Sequence, residues 1–452
     1  MKLVFLILVS LFVFFNENVL SFDSVKYNYD DAVEQLKDSN YAEALIMFNQ
    51  LVEEDKINRV LYFQRGNAYY GLKKYANAIP DYEIAERLDY RNTELYFKLA
   101  NSYYQTKEPE AAINNLNKAI EFDPEFYDAY IMLADIYYNI KDLTNAFKYY
   151  NSAYLLKPTS ISLLIRLGMI KYIQNDFAGS VDFLKKANKI DSSKGDINFH
   201  LSLSFSGLND TGNAIYYAIR SVDIESSNSI YIFNIANMYS DYGFYDKSLE
   251  YFNSLMSMDD NKVAPSLIYQ RRGITNLRNG YLENAISDFD NAILLNPTDT
   301  VSLLNKGIVY YEQERDSLAL IDLNSVITID SLNMKAVLYR GVLHLRNNKY
   351  DLAFTDLSKA LRLKPDDVFI QYVMGNYYLS TEKYSDAIKY YNKVLVLDPE
   401  YKIVLENRGI AYYNLGFFRQ AAADFDNAMK YNPKLTDKLK PLYLDAKVKA
   451  GI

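Results

Sequence analysis

Apolar residues along this chain fall into pairs of short helical stripes, each pair interrupted by a polar break, and the arrangement returns every 34 residues. Residues 266–299 show the beat: Gly273, then Ala285, Phe289, Ala292 and Pro297. It sounds again with Gly307, Ala319 and Leu323, and again with Gly341, Ala353, Leu357, Ala360 and Pro365. Carried both ways, the period gives twelve repeats from Val25 to Leu435, broken only by three extra residues, Val263 to Pro265. Two blocks result, 25–262 and 266–435.

Within a repeat, two apolar faces stand at helical spacing. In the third repeat Tyr96, Leu99, Ala100 and Tyr103 share one face, and Ala112, Leu116 and Ala119 share another. The spacing predicts two amphipathic helices with a turn near the fifteenth place and a stop near the end. Six of the ten prolines, Pro124, Pro158, Pro297, Pro365, Pro399 and Pro433, occupy that stop, where a helix cannot continue. The eighth place holds Gly66, Gly168, Gly273, Gly307, Gly341, Gly375 and Gly409, with Ala or Ser in the other five repeats. The twentieth place is Ala or Ser throughout. Gly inside a helix costs about 1 kcal/mol relative to Ala, so its return at one place predicts close helix contact there. The fold class expected is all-α, an α-α superhelix or solenoid of 34-residue helical hairpins.

Departures from the pattern carry expectations of their own. Asn28, Asp31 and Gln35 replace apolar residues in the first repeat, as a terminal face without a neighbour requires. Pro80 predicts a kink in the second helix of repeat 2. Repeats 5 to 7, Ile161 to Lys262, have Ser192, Ser226 and Asp260 at the stop, and Ala218 replaces a bulky residue. With the insertion following, a hinge is expected near 263–265. After Leu435, the spacing of Leu439, Leu442, Tyr443 and Ala446 among Lys438, Lys440, Lys447 and Lys449 predicts a capping helix over about 436–450. Its last lysines suit the negative helix end.

In its repeat length and its small, small, aromatic, small, proline sequence the chain resembles the tetratricopeptide repeat family over residues 25–435. It departs in having no Trp; Tyr62, Tyr96, Tyr130, Tyr269 or aliphatics fill that place. The resemblance implies a non-enzymatic scaffold that binds protein or peptide segments on the concave face made by the first helices. Some family members clamp a partner's C-terminal carboxylate with Lys and Asn on successive first helices. The matching fifth place here carries Phe63, Phe97, Ile131, Ile165, Phe199, Phe233, Gln270, Leu304, Leu338, Tyr372 and Glu406, so that clamp is not expected.

Composition narrows the function further. With 49 basic and 57 acidic residues, net charge −8 and no Lys/Arg-rich block, nucleic acid is not an expected partner. Lys2 precedes a 13-residue run from Leu3 to Phe15, followed by polar residues and the small-residue site Val19, Leu20, Ser21. That run would make a helix of about 20 Å, against a hydrocarbon core of about 30 Å. Residues 1–21 read as a cleavable signal peptide, with an uncleaved membrane anchor as the alternative; the mature chain is expected to be exported, periplasmic or secreted. There is no cysteine, hence no disulfide, thiolate metal site or lipidated Cys. His200 and His344 lie far apart with no metal-ligand spacing, there is no phosphate-binding Gly loop, and Asp288 with Asp290 recurs by repeat period. No cofactor, metal or small-molecule substrate is expected. An enzyme is a distant third reading, behind the scaffold and a structural subunit of an envelope or secretion assembly.

Two residue sets stand out. Arg65, Arg272, Lys306, Arg340 and Arg408 at the seventh place accompany Asp81, Asp288, Asp322, Asp356 and Asp424 sixteen residues on, and no other repeat has either partner. These predict a partly buried structural ion pair between the two helices of each such repeat, with Leu99, Leu133, Leu167, Leu201, Ile235 and Met374 as the apolar alternative. The second set is a candidate peptide groove along repeats 2 to 5. Phe63, Phe97, Ile131 and Ile165 form an apolar row, Asn67, Asn101 and Asp135 a polar row, and Tyr70, Tyr104, Tyr138 and Tyr172 a phenol row. Asn amides would bond the partner's backbone and Tyr rings cover its side chains.

Overall fold

The structure, a computed structural model, describes residues 26–259 and 262–452. The expected signal segment and its processing site lie outside the described residues. Twenty-five α-helices and one 3-10 turn, and no strand, make up the described chain. Contacts divide the chain into two bodies, the first ending at Tyr217 and the second running from Ala218 to Ile452. In each, successive helices pair into hairpins, and each second helix packs on the first helix of the next repeat.

Polar caps start many first helices. Asn58, Asn92, Asn228, Asp299, Asn333 and Asp367 each accept a hydrogen bond from a backbone N–H of the first turn. The break at the fifteenth place is a single left-handed residue. All twelve repeats have one, from Ser39 and Lys73 to Gly416, with φ between 57° and 82°. Only Gly243, Gly280 and Gly416 are glycine there, so nine side chains take a conformation that glycine adopts without strain.

The small eighth place is where the two helices of a hairpin touch. A Cβ on Gly66 would lie 2.7 Å from the Tyr82 ring, and one on Gly375 2.4 Å from the Tyr391 ring. Tyr82, Tyr150, Tyr391, Phe48, Phe252, Phe289 and Phe425 are the largest fully buried side chains, all at the twenty-fourth place of their repeats. Gly thus leaves the space that a ring from the opposing helix fills, which offsets its poor helix propensity. Pro80 stands inside the unbroken helix Tyr75–Arg87. Of the three extra residues, Val263 is buried among Ile232, Ala236, Phe252, Leu255 and Ile268, and Pro265 opens the next helix. The terminal helix, Thr436–Ala450, buries Leu439 and Ala446 with Phe425 and Ala428 of repeat 12.

Candidate functional site

The seventh-place cations and their aspartates form one set of contacts. Arg65 donates from Nε and Nη2 to Asp81 at 2.8 and 2.7 Å, Arg340 to Asp356 at 2.7 and 2.8 Å, and Arg408 to Asp424 at 2.8 and 2.7 Å. Arg272 holds Asp288 at 3.0 and 2.6 Å. Lys306, with a point charge and no fork, reaches Asp322 at 3.3 Å and leaves its Oδ2 without a partner. Burial pushes the Asp322 carboxyl above its usual range despite the Lys306 charge.

Each cation also has a second partner that the period alone does not reveal. Arg65 Nη1 donates to Asn49, Arg272 to Asn253, Arg340 to Asn324 and Arg408 to Asn392, and Lys306 donates to Asp290. All five acceptors hold the twenty-fifth place of the preceding repeat. The cation therefore ties its own hairpin closed and joins it to its neighbour. A sequence signal exists: each of the five basic seventh places follows a repeat with Asn or Asp at that place.

In four of the six repeats whose seventh place is apolar, rings take over. Tyr137 stacks on Tyr149 with centroids 5.5 Å apart, Phe205 on Tyr217 at 5.4 Å, Tyr239 on Tyr251 at 5.8 Å and Tyr378 on Tyr390 at 5.3 Å. These are the eleventh and twenty-third places of repeats 4, 6, 7 and 11, the latter being the aspartate's place in ion-paired repeats.

The groove residues are disposed differently from the rows expected of them. Phe63 is buried against Tyr82 and Tyr90, so it is unavailable to a partner. Phe97 packs edge-on against Phe126. The amide row is engaged within the protein. Asn67 Oδ1 accepts from the Tyr82 hydroxyl and from Lys98 Nζ, each at 3.0 Å, while its Nδ2 donates to Gln64. Asn101 Nδ2 donates to the Tyr70 hydroxyl, and Asn139 Nδ2 to the Tyr104 hydroxyl at 2.8 Å. The reason is chemical: a Tyr at the twenty-fourth place is buried in the hairpin and its hydroxyl needs an acceptor. Tyr82, Tyr150 and Tyr391 find theirs in Asn67, Asp135 and Asn376 of their own repeats.

Further along the same face, the first helices of repeats 4 and 5, Tyr127–Asn139 and Ile161–Ile173, open a cavity of about 350 Å³. Tyr138, Ile165 and Met169 give it an apolar wall; Tyr150, Ser162, Arg166 and Asp196 supply its polar groups. The Tyr150 hydroxyl donates to Asp135 and accepts from Arg166 Nη1 at 2.8 Å, and the same nitrogen donates to Asp135 at 3.0 Å. Burial first, then the Asp135 bond and charge, push the Tyr150 hydroxyl far above its usual range, so it stays protonated and donating. Of the expected groove residues, Ile165 and Tyr138 line this cavity, Asp135 anchors its guanidinium, and Ile131 is half-buried alongside. Tyr172 packs edge-on against Phe177. The set can hold an apolar group and pair with charge at its rim. Among the described residues no group of three His, Asp or Glu could hold a metal, and no helix is long and apolar enough to cross a membrane.

Comparison with known proteins agrees with the repeat. A family model described as a tetratricopeptide repeat matches residues 63–124 and 97–161, and one described as a TPR repeat matches 375–416. No curated protein matches this sequence. Among solved structures, the C-terminal part of a TPR repeat-containing protein from Cytophaga hutchinsonii is 18% identical, covering 61% of this chain and 98% of that one, with a TM-score of 0.42. A tetratricopeptide repeat protein from Parabacteroides merdae is 19% identical over 56% of this chain and 99% of its own, with a TM-score of 0.44. YrrB, described as a TPR protein with an unusual peptide-binding site, is 21% identical over 42% and 97%, with a TM-score of 0.36.

Proposed function

This chain is a tetratricopeptide repeat protein, and on that premise we propose that it is an exported, non-enzymatic scaffold binding protein segments on the first-helix face of its N-terminal body. The observation that carries this reading is the cavity between the first helices of repeats 4 and 5. Elsewhere on that face Phe63, Asn67 and Asn101 are consumed by internal packing and hydrogen bonds; here Ile165, Met169 and Tyr138 remain around open space. A recess of this size, mostly apolar with a few fixed polar groups, suits a side chain of a bound segment. Export rests on the apolar run Leu3 to Phe15 behind Lys2.

A second reading, a structural subunit of an envelope or secretion assembly, is favoured by exposed apolar side chains on the second helices of repeats 8 and 9. Leu294 is 78% exposed and Ile321 61%. The two readings part in one experiment. Cross-linked partners are captured from native cell envelopes with the wild-type chain, a Met169→Arg variant and a Leu294→Ser/Ile321→Ser variant. Loss only with Met169→Arg supports the scaffold; loss only with the double variant supports the subunit. An exposed Glu121→Ala change serves as the control. The mass of the native product tests export, Phe22 being the expected first residue and an intact Met1 in the membrane fraction the contrary result.

A further inference from the structure

The charges around the cavity are unbalanced, and the imbalance says what kind of segment it takes. Arg166 is the one cation lining it, and that charge is already committed to Asp135 and the Tyr150 hydroxyl. Asp196, on the rim, accepts only the N–H of its neighbour Ile197 at 2.9 Å. One repeat period before Ser162, at the same place as Asp196, stands Asp128. No basic side chain among the described residues pairs with Asp128 or Asp196, whereas Glu94, at the equivalent place in repeat 3, is held by Lys98 at 2.7 Å. His200 follows Asp196 by one helical turn and does not restore the balance, since burial holds its pKa below the usual value despite Asp196. Of the two carboxylates at the cavity, Asp135 holds its one guanidinium and Asp196 has no cation, beside a wall of Tyr138, Ile165 and Met169.

We propose that the cavity is the anchor subsite for a basic, apolar segment: a bulky apolar side chain enters against Tyr138, Ile165 and Met169, and an adjacent Lys or Arg pairs with Asp196 at the rim. Resting on the scaffold reading above, this adds the chemistry of the partner. An acidic segment is disfavoured because its charge meets Asp196, which has no cation of its own, and at a half-buried rim such terms select partners more than they add affinity. The about 350 Å³ of space admits a Leu, Met, Phe or Tyr side chain.

The probe is a phage-displayed library of random twelve-residue segments, selected on the full chain. The enriched sequence is then made as a fluorescent peptide and titrated by anisotropy. The expected consensus joins a bulky apolar residue to Lys or Arg. Met169→Arg, which fills the recess and brings a second cation, should weaken binding at least tenfold. Ile165→Ser, a milder change, guards against misfolding, which circular dichroism checks for both variants. Asp196→Asn should weaken binding up to about fivefold, the range for an exposed ion pair, and reduce the preference for a basic over a neutral peptide. An acidic consensus that remains sensitive to Met169→Arg overturns the inference and leaves the scaffold reading standing. A consensus indifferent to both Met169→Arg and Ile165→Ser, or no enrichment at all, overturns the first-helix reading itself.

Discussion

Repeats 11 and 12 adjoin, share the small eighth place, and close their hairpins by opposite means. In repeat 11 Met374 is buried and Tyr378 stacks on Tyr390 at 5.3 Å with planes 19° apart. In repeat 12 Arg408 grips Asp424 in a two-pronged hydrogen bond and extends its third nitrogen to Asn392 of repeat 11. The rings need nothing from outside their repeat. The guanidinium, with five donors, needs more acceptors than one carboxylate offers, and the spare bond becomes a tie to the previous hairpin. Two chemistries therefore fill one corner, and only the ionic one couples neighbours.

The sharpest way to break this comparison is to convert one kind into the other. Arg408→Met alone leaves Asp424, only 5% exposed, without its cation, and should cost about 3 kcal/mol. Adding Asp424→Tyr, which places a ring opposite Tyr412, should recover more than half of that. Urea denaturation with amide exchange over the helices Val404–Asn414 and Phe418–Tyr431 reads both effects. A double variant no better than the single one means the two closures are not interchangeable.

Next in size is the helix contact common to both kinds. Gly375→Ala in repeat 11 would place a Cβ 2.4 Å from the fully buried Tyr391 ring, an overpacking worth about 1 to 3 kcal/mol. Gly307→Ala in ion-paired repeat 9 meets Leu323 at 3.3 Å and the Asp322 Cβ at 3.4 Å, looser contacts than at Gly375. There the helix-propensity gain of about 1 kcal/mol offsets the strain, and the melting temperature should barely move.

A smaller effect sets ion-paired repeats 8 and 10 apart from each other. In repeat 8 Asn276 donates to Asp288 at 2.8 Å; in repeat 10 His344 stands in that place with Nε2 4.0 Å from Asp356 and a buried, unpartnered Nδ1. Burial lowers the His344 pKa, Asp356 pulls it back up, and Arg340 and Lys349 lower it. The unfolded chain then binds this proton more readily than the folded one. The stability that neutral His344 permits is complete above about pH 6.5 and is lost as pH falls through the lower folded value. His344→Asn should flatten the difference in urea midpoint between about pH 7.5 and about pH 5; an unchanged difference would exclude His344 as its source.

The smallest effect should not distinguish the two kinds at all. Glu314 in repeat 9 and Glu382 in repeat 11 both hold the left-handed turn at φ 58°. Glu314→Gly and Glu382→Gly should each stabilise by up to about 1 kcal/mol. Unequal gains would show that the turn is coupled to the way the hairpin closes.

Much of this was open to reading before any coordinates. The 34-residue period, the two helices, the turn and the stop follow from patterns local to one hairpin, because helix phase depends on residues a few places apart. The partnership of Arg65 with Asp81 belongs to the same class: both lie on one hairpin, and their joint presence or absence across repeats marks them. The second partner at Asn49, the ring pair Tyr378 with Tyr390, and the acceptor that Tyr82 finds in Asn67 left traces in the sequence as well, but those traces acquire meaning only once the facing places are known.

What the sequence determined by itself is therefore the repeat and the residues each helix turns inward. Which of the outward residues remain free was decided by tertiary structure. Asn67 and Asn101 read as an open amide row, yet neighbouring helices bring Lys98 and the Tyr70 and Tyr82 hydroxyls onto them. Tyr138, Met169 and Asp196 come from three successive repeats and surround one space only through the stacking of their hairpins. The offset between stacked hairpins sets those distances, and it depends on the packing of side chains from two repeats at once, a quantity that no single helix's periodicity encodes.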